Sequence, residues 1–405
     1  MSINVKSEVG QLRKVVLHRP GKELLHLVPE SLNRLLFDDI PFLDIAQQEH
    51  DYFAKVLQEQ GSQVLYLEDI VTEVLQNNSG LREQFVEECI AESGDVARVY
   101  ASELREYLLS IPDDKEFVLQ TMTGVNMKDL HCSQKSQLAK FLNQDSNFIM
   151  DPIPNLYFTR DTFSSIGRGV SLNRMYSVTR SRESIYGRYI FNYHPDYVNT
   201  PQYYRPDFAY HIEGGDILNL TEKTILVGIS ERTSPEAIEE LAKNLFADEN
   251  SSVENVIAIE IPRSRAFMHL DTVFTQIDLD KFTVHPHIMS TLRCFKLNRS
   301  KSVLSIEELQ TSLTDLLAKY LHVDKVKLIY CGGTDSIAAQ REQWNDGSNT
   351  LCVAPGKVIV YDRNTVTNAL LEDNGIECLK IKSSEISRGR GGPRCMSMPF
   401  LREQI

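Results

Sequence analysis

The chain has 405 residues, 42% hydrophobic and 24% charged, ordinary proportions for a globular protein larger than one usual domain. A formal net charge of −13 argues against nucleic acid as the main partner and is compatible with a cationic one. Arg13, Lys14, His18, Arg19, Lys22 and Glu23 interrupt the N-terminal stretch, and no apolar run approaches a secretory leader or a membrane span, so a cytoplasmic protein with no membrane partner is expected.

In chain order, an apolar strand over Leu12–Leu17 precedes a helix over Asp44–Gln60. Residues 75–145 are polar with helical spacing: Leu81, Phe85 and Cys89; Val96, Val99, Leu104 and Leu108; Phe117 to Met122; then Leu138 to Leu142. Gly94 and Gly124 read as stops, and Ser110–Glu116 reads as a helix start. The stretch is expected to be an inserted four-helix subdomain with its own small core. The remaining residues, 1–74 and 146–405, would form the scaffold.

Downstream, strand–turn–strand patterns recur over Thr162–Met175, residues 216–229, Asp271–Val284 and residues 350–362. The second of these leads into a helix over Ala237–Phe246, with Ser234 as N-cap and Pro235 at the first helical position. The last leads into a helix over Asn364–Asn374, closed by Gly375. Recurring strand–strand–helix units predict an α/β chain with a radial, propeller-like arrangement and not a doubly wound sheet.

Seven cysteines (89, 132, 294, 331, 352, 378 and 395) form no CxxC pair, which fits a reducing compartment and excludes the common structural zinc patterns. Six lie in apolar or mixed surroundings and read as small core residues. Cys395 differs, because Ser387–Met396 surrounds it with Gly389, Gly391 and Gly392 and with Arg388, Arg390 and Arg394. Glycines permit close approach of a ligand to the backbone, and arginines favour thiolate over thiol. The segment is either a nucleophile on a presentation loop or a flexible basic tail.

Three further constellations carry chemistry-bearing residues: Pro154–Thr162 with Asp161, His211–Asp216 with Glu213, and Met268–Phe274 with His269 and Asp271. On an extended backbone, His269 and Asp271 point to one side, as an acid/base and charge pair or as a structural hydrogen bond at a strand edge. Glu213 before two glycines is a catalytic carboxylate or a partner for turn amides. Asp161 alone reads as a solvated or salt-bridged loop residue. Together with Cys395, these four supply the parts for attack on a cationic carbon; a mixed metal site matches no usual spacing.

The motifs PNLYFTRD, HIEGGD, ISERTS, MHLDTVFT, REQWNDGSN and RGRGGPRCMSMP, in this order over nearly the whole chain, resemble those of the arginine deiminase family. The resemblance implies a five-bladed α/β propeller with a helical insertion, and hydrolysis of L-arginine to L-citrulline and ammonia in arginine catabolism. It implies Cys395 as nucleophile and His269 as acid/base, oriented by Glu213, with Asp161 and Asp271 gripping the guanidinium. Asn155, Arg180 and Arg232 would bind the amino-acid end, Phe158 would pack on the alkyl chain, and Gly389 and Arg390 would lie on a closing loop. No cofactor or metal is implied, and a homo-oligomer, dimer or tetramer, is expected. The chain departs from several relatives at Arg394, where histidine is expected.

Carboxylates near Cys395 should raise its pKa while Arg390 and Arg394 lower it, so the resting thiol is expected to be neutral until a cationic substrate favours the thiolate. If Arg180 and Arg232 both grip the substrate carboxylate, free L-arginine is favoured over agmatine. The alternatives are an amidinotransferase, a hydrolase of agmatine or methylated arginine, and a non-catalytic arginine-binding protein.

Overall fold

The strand Leu12–Leu17 joins the two ends of the chain: it runs antiparallel to Met398–Arg402 on one side and parallel to Gln63–Tyr66 on the other. The computed structural model in which this is seen describes residues 3–78, 80–130, 135, 148–289, 292–300 and 303–405.

Four more sheets among the described residues follow the same plan, an antiparallel pair whose second strand also pairs in parallel with a third. They are Phe163–Ile166, Gly169–Leu172 and Gln202–Tyr204; Ile217–Thr221, Thr224–Ile229 and Asn255–Glu260; Phe274–Gln276, Lys281–Val284 and Lys327–Tyr330; and Leu351–Ala354, Lys357–Tyr361 and Glu377–Ile381. A parallel third strand needs a crossover. Here the crossovers contain the helices Leu43–Glu59, Glu183–Tyr193, Pro235–Ala247, Leu313–Leu321 and Thr365–Asp373. The third sheet is widened by the hairpin Arg293–Ser300 and Val303–Leu309. The expected hairpins and helices are thus present in a mixed α/β architecture.

Local signals act as their chemistry requires. The Ser234 side chain accepts from the Ala237 N–H, and Pro235 opens its helix. Asp113 caps Asp114–Thr123 by accepting from the Glu116 N–H, within the expected start. Gly94 and Gly124 sit at φ 86° and 85°, a backbone region glycine enters without a Cβ penalty.

The helical segment departs from expectation in three respects. Its second helix is two, Asp95–Val99 and Ala101–Leu109, and Val96 and Val99 are exposed while Ala97 is buried. The break at Tyr100 turns the helix, so the apolar spacing does not continue across it. Among the described residues the segment also has no separate core: Phe85, Leu104 and Phe117 pack in one cluster with Val16, Phe163 and Phe400 from the sheets and Tyr186 from the helix Glu183–Tyr193. Finally, helix Leu67–Asn77 runs through the expected boundary at residue 74. The helix expected at 138–142 and Cys132 lie outside the described residues.

No helix among the described residues is long and apolar enough to cross a membrane. Cys89, Cys294, Cys331 and Cys352 are buried and Cys378 is half-buried; burial raises their thiols to about 11–12.

Candidate active site

Cys395, His269, Glu213, Asp161 and Asp271 converge, though they come from four separated stretches of chain. None is more than 4% exposed. Each lies at the margin of a sheet: Asp161 in the turn Thr159–Thr162 before Phe163–Ile166, Glu213 just before the turn Gly214–Asp216, and Asp271 in the turn Leu270–Thr272 before Phe274–Gln276. His269 and Asp271 are therefore not on an extended strand. His269 precedes a 3-10 turn and Asp271 is within it.

The histidine is held firmly. His269 Nε2 is 2.8 Å from Glu213 Oε2, and His269 Nδ1 is 3.8 Å from Asp161 Oδ1. The other Glu213 oxygen accepts from the Tyr176 N–H at 3.0 Å. A Cβ on Gly215 would come within 2.6 Å of the His269 ring, so the second glycine of the EGG motif makes room for the imidazole. Asp216 accepts from the Leu270 N–H and the Ser230 hydroxyl, which fixes the backbone following His269.

Electrostatics follow from this packing. Burial opposes an imidazolium, but the Asp161 charge and the Glu213 hydrogen bond outweigh it and raise His269 to about 9. Burial also raises Glu213, yet Arg232, the His269 bond and Arg180 together hold it well below the usual carboxylate range. The Cys395 thiol is pushed well up, first by burial, then by Asp271, Asp161 and Asp346, with Arg394 opposing. At neutral pH the pair is thus thiol and imidazolium.

The electropositive surroundings expected of Cys395 are largely absent because its arginines are committed elsewhere. Arg388 pairs with Asp39 and Glu385. Arg390, at φ 63°, stacks 3.5 Å from the Trp344 ring centroid, with Asp38 at 3.6 Å. Only Arg394 reaches the site, donating to Asp271 Oδ2 at 2.8 Å, Glu8 Oε2 at 3.1 Å and the Ile217 carbonyl at 2.8 Å. The loop is not a free tail either. Ser387, Arg390, Arg394 and Cys395 are buried, and a Cβ on Gly391 would overlap the Phe158 ring. These glycines serve close packing.

Asp161 and Asp271 are arranged alike. Asp161 Oδ2 accepts from Arg180 at 2.9 Å as Asp271 Oδ2 accepts from Arg394. Their other oxygens, Asp161 Oδ1 and Asp271 Oδ1, are buried with no hydrogen-bond partner among the described residues. Two such acceptors near one sulfur suit a flat cation with several N–H donors.

Of the residues expected at the amino-acid end, Arg180 is engaged, by Glu183 at 2.8–3.1 Å and Asp161, with Glu213 at 3.7 Å. Arg232 is freer: Glu213 Oε2 is 3.5 Å away, the guanidinium lies over the Tyr176 ring, and its buried Nε has no hydrogen-bond partner among the described residues. Asn155 donates to the Leu35 carbonyl, and Phe158 lies against Tyr157. Asp161, Glu213 and His269 are the one group of three metal-ligating types close enough to share an ion among the described residues. Arg180 already pairs with two of its carboxylates, Asp161 and Glu213, which leaves less of the concentrated negative charge that a metal ion requires.

Several residues at the site went unassigned in the sequence: Asp216, Glu183, Glu8, Asp346 and Asn349. Asp216 stood inside HIEGGD, where Glu213 carries the obvious chemistry, and the last two stood inside REQWNDGSN, none of whose residues was given a role. Glu8 had no such signal, being brought in from the far end of the chain.

A family model described as arginine deiminase matches residues 33–402. An arginine deiminase of Treponema denticola is 50% identical, covering 100% of this chain and 99% of its own. One of Streptococcus agalactiae serotype V is 52% identical, covering 100% and 98%. Among solved structures, an amidinotransferase of Microseira wollei from saxitoxin biosynthesis superposes with TM-score 0.55 at 14% identity, over 100% of this chain and 98% of that one. A dimethylarginine dimethylaminohydrolase of Pseudomonas aeruginosa, complexed with citrulline, gives 0.54 at 12%, over 96% and 100%. At such identities the structural matches speak for the fold alone.

Proposed function

The chain belongs to the arginine deiminase family, and from that premise we propose that it hydrolyses L-arginine to L-citrulline and ammonia with Cys395 as nucleophile. The observation that carries this reading is the pair of unpartnered oxygens, Asp161 Oδ1 and Asp271 Oδ1, in the site that holds Cys395 and His269.

A guanidinium is resonance-stabilised and a poor electrophile. The two carboxylates would orient it and keep its positive charge at the carbon under attack, through charge-assisted bonds worth about 1.5–3 kcal/mol each. Binding of this cation offsets the carboxylate field that keeps Cys395 protonated, so the thiol releases its proton to solvent and the thiolate forms when substrate is present. Its sulfur adds to the guanidinium carbon, and His269, as imidazolium, protonates the departing nitrogen to give ammonia. The product is an amidino-cysteine. Neutral His269 then deprotonates water, whose oxygen bonds to the same carbon; the S–C bond breaks, the electron pair returns to sulfur, and citrulline leaves. The chain's own residues suffice for both halves, so we propose no metal or cofactor.

Arg232 is the better candidate for the substrate carboxylate because its Nε lacks a partner. Arg180, held by Asp161 and Glu183, acts first to orient Asp161. Asn155, Phe158, Gly389 and Arg390 remain proposed as the surrounding wall and loop. The burial of the catalytic groups requires that loop to open for entry.

We further read the five sheets as five blades arranged radially, closed by Met398–Arg402 beside Leu12–Leu17, with residues 75–145 as an insertion. Cytoplasmic location is proposed from the scattered cysteines without a CxxC pair, and a homo-oligomeric state, dimer or tetramer, from family resemblance. The function is tested by incubating the protein with L-arginine or agmatine in EDTA and quantifying products. Equal citrulline and ammonia from arginine, with little from agmatine, supports it; amidino transfer to glycine or ornithine in place of hydrolysis overturns it.

A further inference from the structure

We propose that Asn349 is a catalytic residue whose side-chain N–H stabilises the Cys395 thiolate as it forms and again as it is expelled. The inference rests on the reading of Cys395 as the nucleophile.

Asn349 is fully buried and its amide makes three bonds within the site. Oδ1 accepts from the Cys395 backbone N–H at 3.1 Å. Nδ2 donates to Cys395 Sγ at 3.1 Å and to the Asp271 carbonyl at 3.2 Å. These partners fix which end of the amide is which: a backbone N–H requires the oxygen, and a carbonyl requires the nitrogen. The N–H therefore points at sulfur.

The surrounding chain is built around this contact. Asp346, in the left-handed region at φ 59°, accepts at its carbonyl from the Asn349 N–H and turns the segment just before Leu351–Ala354. On the opposite side, a Cβ on Gly392 would lie 2.6–2.8 Å from Asn349 atoms. A side chain there would lift the nucleophile's loop off the amide.

The chemical need is specific. The charges that act most strongly on the sulfur are the carboxylates of Asp271, Asp161 and Asp346, opposed by Arg394, which Asp271 and Glu8 already engage. Besides Asn349, the hydrogen-bond partner of Sγ among the described residues is Asp271 Oδ2 at 3.7 Å, an acceptor that serves the thiol and not the thiolate. A lysine or arginine placed against sulfur would favour the thiolate but also neutralise the carboxylates and repel a guanidinium. A neutral donor avoids that conflict. In the first half-reaction, the S–C bond forms from the thiolate that this N–H has stabilised. In the second, the S–C bond breaks and the returning electron pair meets the same N–H.

The test uses Asn349→Ala and Asn349→Asp in the full-length protein. The aspartate keeps an acceptor for the Cys395 N–H but removes the donor and adds a negative charge beside sulfur, so it should be the slower of the two, and the uncharged alanine reports loss of the donor alone: a merely structural role would leave its thiolate midpoint unmoved. We expect both variants to form the Cys395 adduct about 10- to 10²-fold more slowly, with KM nearly unchanged for alanine. The thiolate absorbance midpoint of the free protein should move upward in both. A wild-type adduct rate and an unmoved midpoint in the alanine variant would overturn the proposal. If wild-type protein turns over arginine without ever carrying an adduct on Cys395, the underlying nucleophile reading fails, and this inference fails with it.

Discussion

Arg394 and Asp271 form a solvent-excluded ion pair of 2.8 Å, and the residue that follows Arg394 in the chain is Cys395. One guanidinium thereby orients a carboxylate proposed to grip the substrate and anchors the Cys395 loop to Glu8 near the N-terminus. A histidine at this position could not reach both carboxylates with a fork of donors.

Replacing Arg394 by glutamine should therefore destabilise the fold by about 3–5 kcal/mol, because Glu8 and Asp271 are left buried with an uncompensated charge. Urea unfolding measures this. Burial pushes the Glu8 carboxyl up, but Arg394 and Arg160 outweigh it and bring it from 4.5 to about 2. Its stabilisation is thus present above pH 4.5 and lost as pH falls towards 2. Glu8→Gln should flatten that part of the stability profile; an unchanged acid profile would contradict the assignment.

His269 supplies a second pH signature. Its pKa, raised from 6.5 to about 9, means that its ion pairing stabilises the fold fully below pH 6.5 and is lost as pH rises through 9. The acid proposed for ammonia release is lost over the same range, so kcat/KM should fall above about pH 9. Glu213→Gln removes a bond that favours the imidazolium and should move the falling limb to lower pH.

The two substrate-side arginines should separate kinetically. Arg232→Leu should raise KM for arginine and narrow the preference over agmatine, which the paired-cation argument places at about 10²–10⁴. Arg180→Leu should chiefly lower kcat, since it frees Asp161. Equal KM effects from both, with kcat retained, would assign both to the carboxylate.

Close packing of the loop predicts that Gly391→Ala is harmful without any change in charge. Its methyl group would meet the Phe158 ring, an overpacking cost of about 1–3 kcal/mol. The expected result is lost activity and increased proteolysis near residue 391, with the far-ultraviolet spectrum unchanged.

Much of this arrangement was legible in the sequence because its cues are local. Ser234-Pro235 marks a helix start wherever it lies, and an apolar hairpin over residues 350–362 needs no tertiary information. The five catalytic candidates were legible through motif order. What stayed hidden depends on partners distant in the chain. The loop arginines read as an electropositive setting, whereas Asp38, Asp39, Glu8 and Trp344 claim them. The glycines read as flexible, whereas Phe158 and Asn349 occupy the space their side chains would need. Val96 and Val99 matched a helical spacing that the break at Tyr100 ends.

The central claim is a covalent intermediate on Cys395, and acid-quenched peptide mass mapping with L-arginine labelled at the guanidino carbon tests it most directly. The label should appear on the peptide containing Cys395 during turnover and pass into citrulline as substrate is exhausted. Citrulline produced while Cys395 stays unlabelled, or label found on another residue, would contradict the account.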